Sequence, residues 1–268
     1  MSSSVPSYLE QLVRHPETDK RLWLDPDQRV VGKFLRCQLA SVFQPVIDLN
    51  EQTSIAREAF VRSWHQTESR LSPWSLFASA AHDEDVVELD RLCRTVHLLN
   101  HFSGLHANEP LIVNVHDRLL AAVAGDHGRS FRRVLDALAI SPSRVIIETP
   151  ESVCLDRSLL AFVVANYRLN GFRISVSVGR ASDVQKVLGI VRPDYLKVDG
   201  RRIPSTAEAA HVLALAEANG VRTIIQRVET HDQLNTLREA GITLVQGFAL
   251  AAPSAVPAQQ TPLATTAA

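Results

Sequence analysis

From Ser41 to Gln246 the chain alternates short β-branched runs with longer segments whose apolar residues recur every three or four positions, and few folds can absorb that rhythm. The runs are SVFQPVI (41–47), SIAREAFVRS (54–63), LIVNV (111–115), RVIIE (144–148), FRISVS (172–177), YLKV (195–198), RTIIQ (222–226) and TLVQ (243–246), and each predicts a strand. The segments between them predict helices: the stretch 73–99 with Pro73 at its start, then RSFRRVLDAL, RSLLAFVVANYRLNG, DVQKVLGIV, AAHVLALAEANG and HDQLNTLREAG. Gly171, Gly220 and Gly241 stand where helix ends call for a left-handed residue. Eight strands alternating with helices specify an α/β fold, a (β/α)8-type TIM-like barrel. Only DLNEQT separates the first two strands, too little for a crossover helix and enough for a hairpin, so the first strand is expected to be antiparallel.

The barrel is expected to span 41–253. Residues 1–40, polar and punctuated by proline, read as a helical lead-in too short for a core of its own, and 254–268 as a disordered low-complexity tail. Hydrophobic residues make up 46% and charged residues 21%, which supplies an ordinary core. A net charge of -1 gives no global attraction to nucleic acid polymers or anionic membranes, so an anionic ligand would have to be held locally. The N-terminal segment lacks the apolar stretch of a signal peptide and no run approaches membrane-span length, so a cytoplasmic location is expected. Cys37, Cys93 and Cys154 are odd in number and widely spaced, which predicts free thiols rather than a disulfide framework or a metal site.

In parallel barrels the chemistry collects at the C-terminal ends of the strands. Glu58, Asn114, Glu148, Lys197 and Gln246 end or close apolar runs, and so do Ser177 and Gln226. One mouth should gather all seven. Two carboxylates, two amides and a lysine are groups that can meet a phosphodiester.

These residues lie in segments that resemble the EAL domains, a family that hydrolyses cyclic di-GMP on a barrel with an inverted first strand. FQPVIDL is similar to the family's YQPIVDL, REAFVR to its EAL-LR signature, RVIIETPES to LEITES, PDYLKVD to DYLKID, VETHDQL to VETEEQL and VQGF to QGY; LIVNVH resembles the strand that carries its Asn. The likeness runs from about Ser41 to Pro253. It implies that Glu58, Asn114 and Glu148 correspond to metal ligands and that Lys197 corresponds to the lysine that positions the attacking water. By the same resemblance Arg62 would meet a phosphate, Gln246 would lie near the ligand, and Glu151 would support the loop after the fifth strand. With Gln44, the residues Arg62, Lys197 and Gln246 form the expected ligand-binding set.

The departures fall on the metal-binding half. Where the family has DDFGTG this chain has ISVSVGRAS, with Ser177 and Val178 in place of the two aspartates and Arg180 nearby. Where the family has AEGVE the chain has IQRVE, so Gln226 replaces a carboxylate and Arg227 a glycine, while Glu229 stays. The QGYLFSRP ending has become QGFALAAP. A hydroxyl is a poor ligand for Mg2+ and valine is none, and an amide lacks the basicity of a carboxylate. The expected function is a degenerate, catalytically inactive EAL-like domain that receives cyclic di-GMP without hydrolysing it. The alternatives are a protein-interaction regulator that has lost the nucleotide, with a protein partner, and a weak phosphodiesterase yielding linear pGpG. No cofactor is expected, Mg2+ or Mn2+ entering only with residual hydrolysis. His97 and His101, four apart, are read as a solvated helix face, His116 as structural, and Trp23, Trp64 and Trp74 as packing anchors.

Overall fold

A computed structural model of the chain describes Tyr8 and residues 21–65, 70–122, 125 and 128–255. Its strands are β1 (Leu22–Leu24), β2 (Val30–Phe34), β3 (Cys37–Asp48), β4 (Thr53–His65), β5 (Arg70–Leu71), β6 (Leu111–Asn114), β7 (Val145–Thr149), β8 (Arg173–Val178), β9 (Tyr195–Asp199), β10 (Arg222–Gln226) and β11 (Leu244–Val245). From β4 the sheet passes through β6, β7, β8, β9 and β10 to β11 in parallel pairs. The ring closes through β3, which runs antiparallel to both β11 and β4. This is the expected barrel with its inverted strand. The hairpin between β3 and β4 is tight because Asp48 Oδ1 accepts hydrogen bonds from the backbone N–H of Asn50 and Glu51, at 3.0 and 3.3 Å.

The helices are α1 (Pro73–Ala78), α2 (Asp83–Ser103), α3 (Asp117–Ala122), α4 (Arg129–Ala137), α5 (Arg157–Leu169), α6 (Ala181–Leu188), α7 (Thr206–Glu217) and α8 (His231–Glu239). The stretch 73–99 is thus two helices: α1 starts at Pro73, and α2 starts after His82, whose backbone N–H is accepted by Asp85. Gly171, Gly220 and Gly241 all adopt positive φ, between 67° and 84°.

Within the expected helical lead-in, residues 1–7 and 9–20 lie outside the described residues, and the part from 21 to 40 differs from expectation. Residues 22–40 form strands joined by turns rather than a helix: β1 and β2 extend the sheet beyond β3, and β5 extends it beyond β4. LWL and VVGKF are short, apolar and rich in residues that favour a pleated surface, and α2 gives that surface something to cover. A Cβ on Gly32 would lie 3.0 Å from Val96 Cγ2, so glycine lets the sheet approach the helix closely. Asn100 on α2 then clamps β2: its Oδ1 accepts from Val30 N–H and its Nδ2 donates to Val30 O, both at 2.8 Å. The tail lies outside the described residues from 256 onward, while Ser254 forms a bridge with Phe43. Among the described residues no helix is long and apolar enough to cross a membrane.

The barrel interior is layered. Val46, Ala56, Ile112, Ile146, Tyr195, Ile224 and Leu244 cluster inside the ring, separate from the larger core between sheet and helices. Side chains two positions apart on a strand share a face. One pleat toward the mouth therefore lie Gln44, Glu58, Asn114, Glu148, Lys197, Gln226 and Gln246, with Ser177 in the same relation to Ser175. A polar layer sits directly on an apolar one.

Candidate ligand-binding mouth of the barrel

Lys197 is the centre of the polar layer. Its Nζ donates to Glu58 Oε2, and to Glu148 Oε2 at 2.7 Å, with the lysine fully buried and both glutamates nearly so. Asn114 Nδ2 donates to Glu58 Oε1 at 2.7 Å, and Ser177 Oγ to Glu148 Oε1 at 2.6 Å. Every oxygen of the two carboxylates has an internal partner. Burial opposes the charge on Lys197, but attraction to Glu148 and Glu58 prevails and holds it above the ordinary lysine range. Burial, reinforced by repulsion from Glu58, pushes Glu148 up against the pull of Lys197 and Ser177. One cation between two carboxylates leaves the cluster one charge short of neutral when both are ionised.

Above this layer the mouth opens into a cleft of about 780 Å3. Gln44, Glu58, Arg62, Asn114, Glu148, Ser177, Gln226 and Gln246 line it. Lys197 does not, since the carboxylates cover it; the expectation that it offers a charge directly to a ligand is corrected to a charge beneath the floor. Val178 bounds the cleft, but strand alternation turns its side chain into the outer core with Val176. Gln44 Nε2 donates to Ala251 O at 2.8 Å, tying β3 to the segment after β11. Arg62 is exposed on the part of β4 beyond the ring, where its Nη1 donates to Val61 O at 3.2 Å.

Asp199 is a site residue that the sequence reading passed over. It lies one pleat above Lys197 on β9, is 2% exposed, and accepts from Arg201 Nε and Nη2 and from Arg227 Nη1 at 3.1, 2.9 and 2.8 Å. Burial would raise its pKa, but the Arg201 bonds and the Arg227 charge hold it below the usual carboxylate range. The signal was present in YLKVD, an apolar run ending in an acid at the i+2 position from the lysine. Glu151 fills the space over Gly179, where an added Cβ would lie 1.8 Å from Oε1, and Arg202 donates to Glu151 and to Gly179 O. Glu151 thereby contacts the loop after β8.

Two expectations about histidine and tryptophan need adjustment, those for the His97–His101 pair and for Trp74. His97 and His101 are buried, not solvated: His97 Nδ1 pairs with Ser41 Oγ at 2.7 Å and His101 Nε2 with Glu109 O at 2.9 Å. On this side α2 packs against β3, where Ser41 and Phe43 meet the two histidines. His116 stacks on Phe77 with centroids 4.4 Å apart, and both line the cleft. Trp74 is 84% exposed at the rim, opposite to a packing anchor, and shares the cleft with Phe248, 68% exposed. The thiols of Cys37, Cys93 and Cys154 are free.

An inverted-strand barrel with a polar mouth of this kind defines a class, and comparison identifies it. The EAL domain family matches residues 27–253, and the chain belongs to that family. The match begins in the turn between β1 and β2, so β2 lies within it. Over 243 residues the chain is 26% identical to the bifunctional diguanylate cyclase/cyclic di-GMP phosphodiesterase MucR of Pseudomonas aeruginosa, covering 84% of this chain but 34% of that protein. It is 23% identical over 242 residues to the probable cyclic di-GMP phosphodiesterase PdeN of Escherichia coli, covering 85% and 46%. The chain thus spans less than half the length of these curated relatives. Its fold matches the MucR phosphodiesterase in a c-di-GMP complex with a TM-score of 0.67 at 21% identity, over 81% of this chain and 92% of that one.

Proposed function

We propose that this chain is a cyclic di-GMP receptor that holds the dinucleotide at the barrel mouth without hydrolysing it. The observation that carries the reading is the closed network of the floor: Lys197, Asn114 and Ser177 use all four oxygens of Glu58 and Glu148. A pair of divalent ions does not fit this donor set. The carboxylates are engaged from within, Asn114 turns its donor group inward, and Ser177 and Gln226 are neutral where the family resemblance places acids. Among the described residues no group of three or more His, Cys, Asp or Glu is placed to hold a metal ion.

Binding asks less of the site than hydrolysis does. The cleft offers exposed Arg62 for a phosphate and the amides of Gln44, Asn114, Gln226 and Gln246 for phosphate or guanine edges. The exposed aromatic rings of Trp74 and Phe248 supply faces for bases. Relatives named as cyclic di-GMP phosphodiesterases support the ligand class. The similar fold of Klebsiella pneumoniae BlrP1 has been solved with cyclic diGMP and no metal ions, at a TM-score of 0.65 and 22% identity over 82% of this chain and 54% of that one. The test is a product assay: with Mg2+ or Mn2+ and excess protein, no linear pGpG should accumulate, while Arg62→Ala should abolish nucleotide binding. Turnover with either ion overturns the non-hydrolytic reading.

A further inference from the structure

At the rim, Arg227 occupies a backbone conformation that side chains rarely adopt. Its φ is 59°, in the left-handed region, at the position where the family's AEGVE carries glycine. Its side chain makes an ion pair there: Nη1 donates to Asp199 Oδ2 at 2.8 Å. Asp199 is nearly fully buried and also receives Arg201, so one carboxylate orients two guanidinium groups at the cleft edge. Arg227 lines the cleft with its side chain 53% exposed, and its Nε and Nη2 have no protein partner among the described residues. Those two donors form the edge of the guanidinium that matches two oxygens of a phosphate.

We propose that Arg227, positioned by Asp199, is a phosphodiester clamp that supplies in fixed form the positive charge a metal ion would otherwise bring to the ligand. The inference rests on the receptor reading and deepens it: the site recognises its anionic dinucleotide through a buried carboxylate–arginine device. Because the guanidinium is permanently charged and pre-oriented, binding through it needs no added cation. Asp199 is a positioning residue, acting only through Arg227 and Arg201. The strained backbone is accepted because a glycine, though relaxed at this φ, carries no donor.

The test is calorimetric titration of cyclic di-GMP in EDTA into wild type, Arg227→Gly, Arg227→Lys, Asp199→Asn and the Asp199→Asn/Arg227→Gly pair, with melting curves of each. Arg227→Gly is expected to weaken binding about tenfold or more without lowering the melting temperature, and Arg227→Lys, which keeps the charge and loses the fork, to weaken it by less. Asp199→Asn should weaken binding by a similar factor alone and have little further effect once Arg227 is gone. Wild-type binding that survives Arg227→Gly within twofold overturns the clamp and leaves the receptor reading intact. Losses from Asp199→Asn and Arg227→Gly that multiply independently also overturn it. Failure of the wild type itself to bind overturns the receptor reading, and the clamp with it.

Discussion

Lys197 shows how a buried charge is made tolerable. Removing an ammonium from water is costly, and it persists here because two carboxylates accept from it and two further donors complete those carboxylates. Lys197→Met leaves Glu58 and Glu148 facing each other without a cation, and is expected to destabilise the fold by about 3–5 kcal/mol unless one of them takes up a proton. Thermal unfolding at neutral and at acidic pH checks this: the deficit should shrink as pH falls toward the carboxylate range. Arg227→Gly illustrates the opposite balance. Left-handed backbone costs a non-glycine residue about 1 kcal/mol or more, and an ion pair from a half-exposed arginine returns at most about 1 kcal/mol after solvent screening. The variant is expected to melt at the wild-type temperature or a degree or two above it. Asp199 adds a pH term of definite sign: its folded pKa is depressed, so its contribution is present above the ordinary aspartate value and lost as pH falls through the folded one.

At the scale of elements, α2 carries the most of what the sequence reading missed. Its periodicity is legible, but which of its faces is covered depends on β1 and β2, and their strand character was hidden in a polar, proline-punctuated stretch. On the face turned to β3, burial pushes His97 down to about 3, and it also drives His101 down to about 4 against the Glu109 carbonyl bond. Both are neutral when folded, whereas the unfolded chain takes up protons below about 6.5. Stability is therefore expected to fall as pH drops from about 6.5 toward 4, by about 1.4 kcal/mol per pH unit for each histidine. Denaturant titrations across that range should show the slope, and His97→Phe should reduce it by about half. Asn100→Ala removes both clamps on Val30 and is expected to cost about 1–3 kcal/mol, with faster amide exchange confined to β1 and β2.

Across the whole molecule, the barrel was legible because it repeats: eight runs, each polar at the mouth end, admit little else. The hairpin spacing DLNEQT gave the inverted strand, and the three glycines that end helices adopt the expected left-handed backbone. The candidate site was legible residue by residue, since inward positions two apart on each strand must share a face. What stayed hidden were relations between strands: that Lys197 lies under Glu58 and Glu148 rather than in the cleft, and that Asp199 gathers Arg201 and Arg227. Such facts depend on which strand ends meet, and spacing along one chain does not encode them.

The central claim is that this mouth binds its dinucleotide with the charges of its own side chains. Calorimetric titration of cyclic di-GMP into the wild-type chain, once in EDTA and once in Mn2+, tests it directly, with the Mn2+ sample then analysed for linear product. The account predicts the same affinity and stoichiometry in both conditions and no product. Binding that appears only with Mn2+, or heat that decays into turnover, would contradict it.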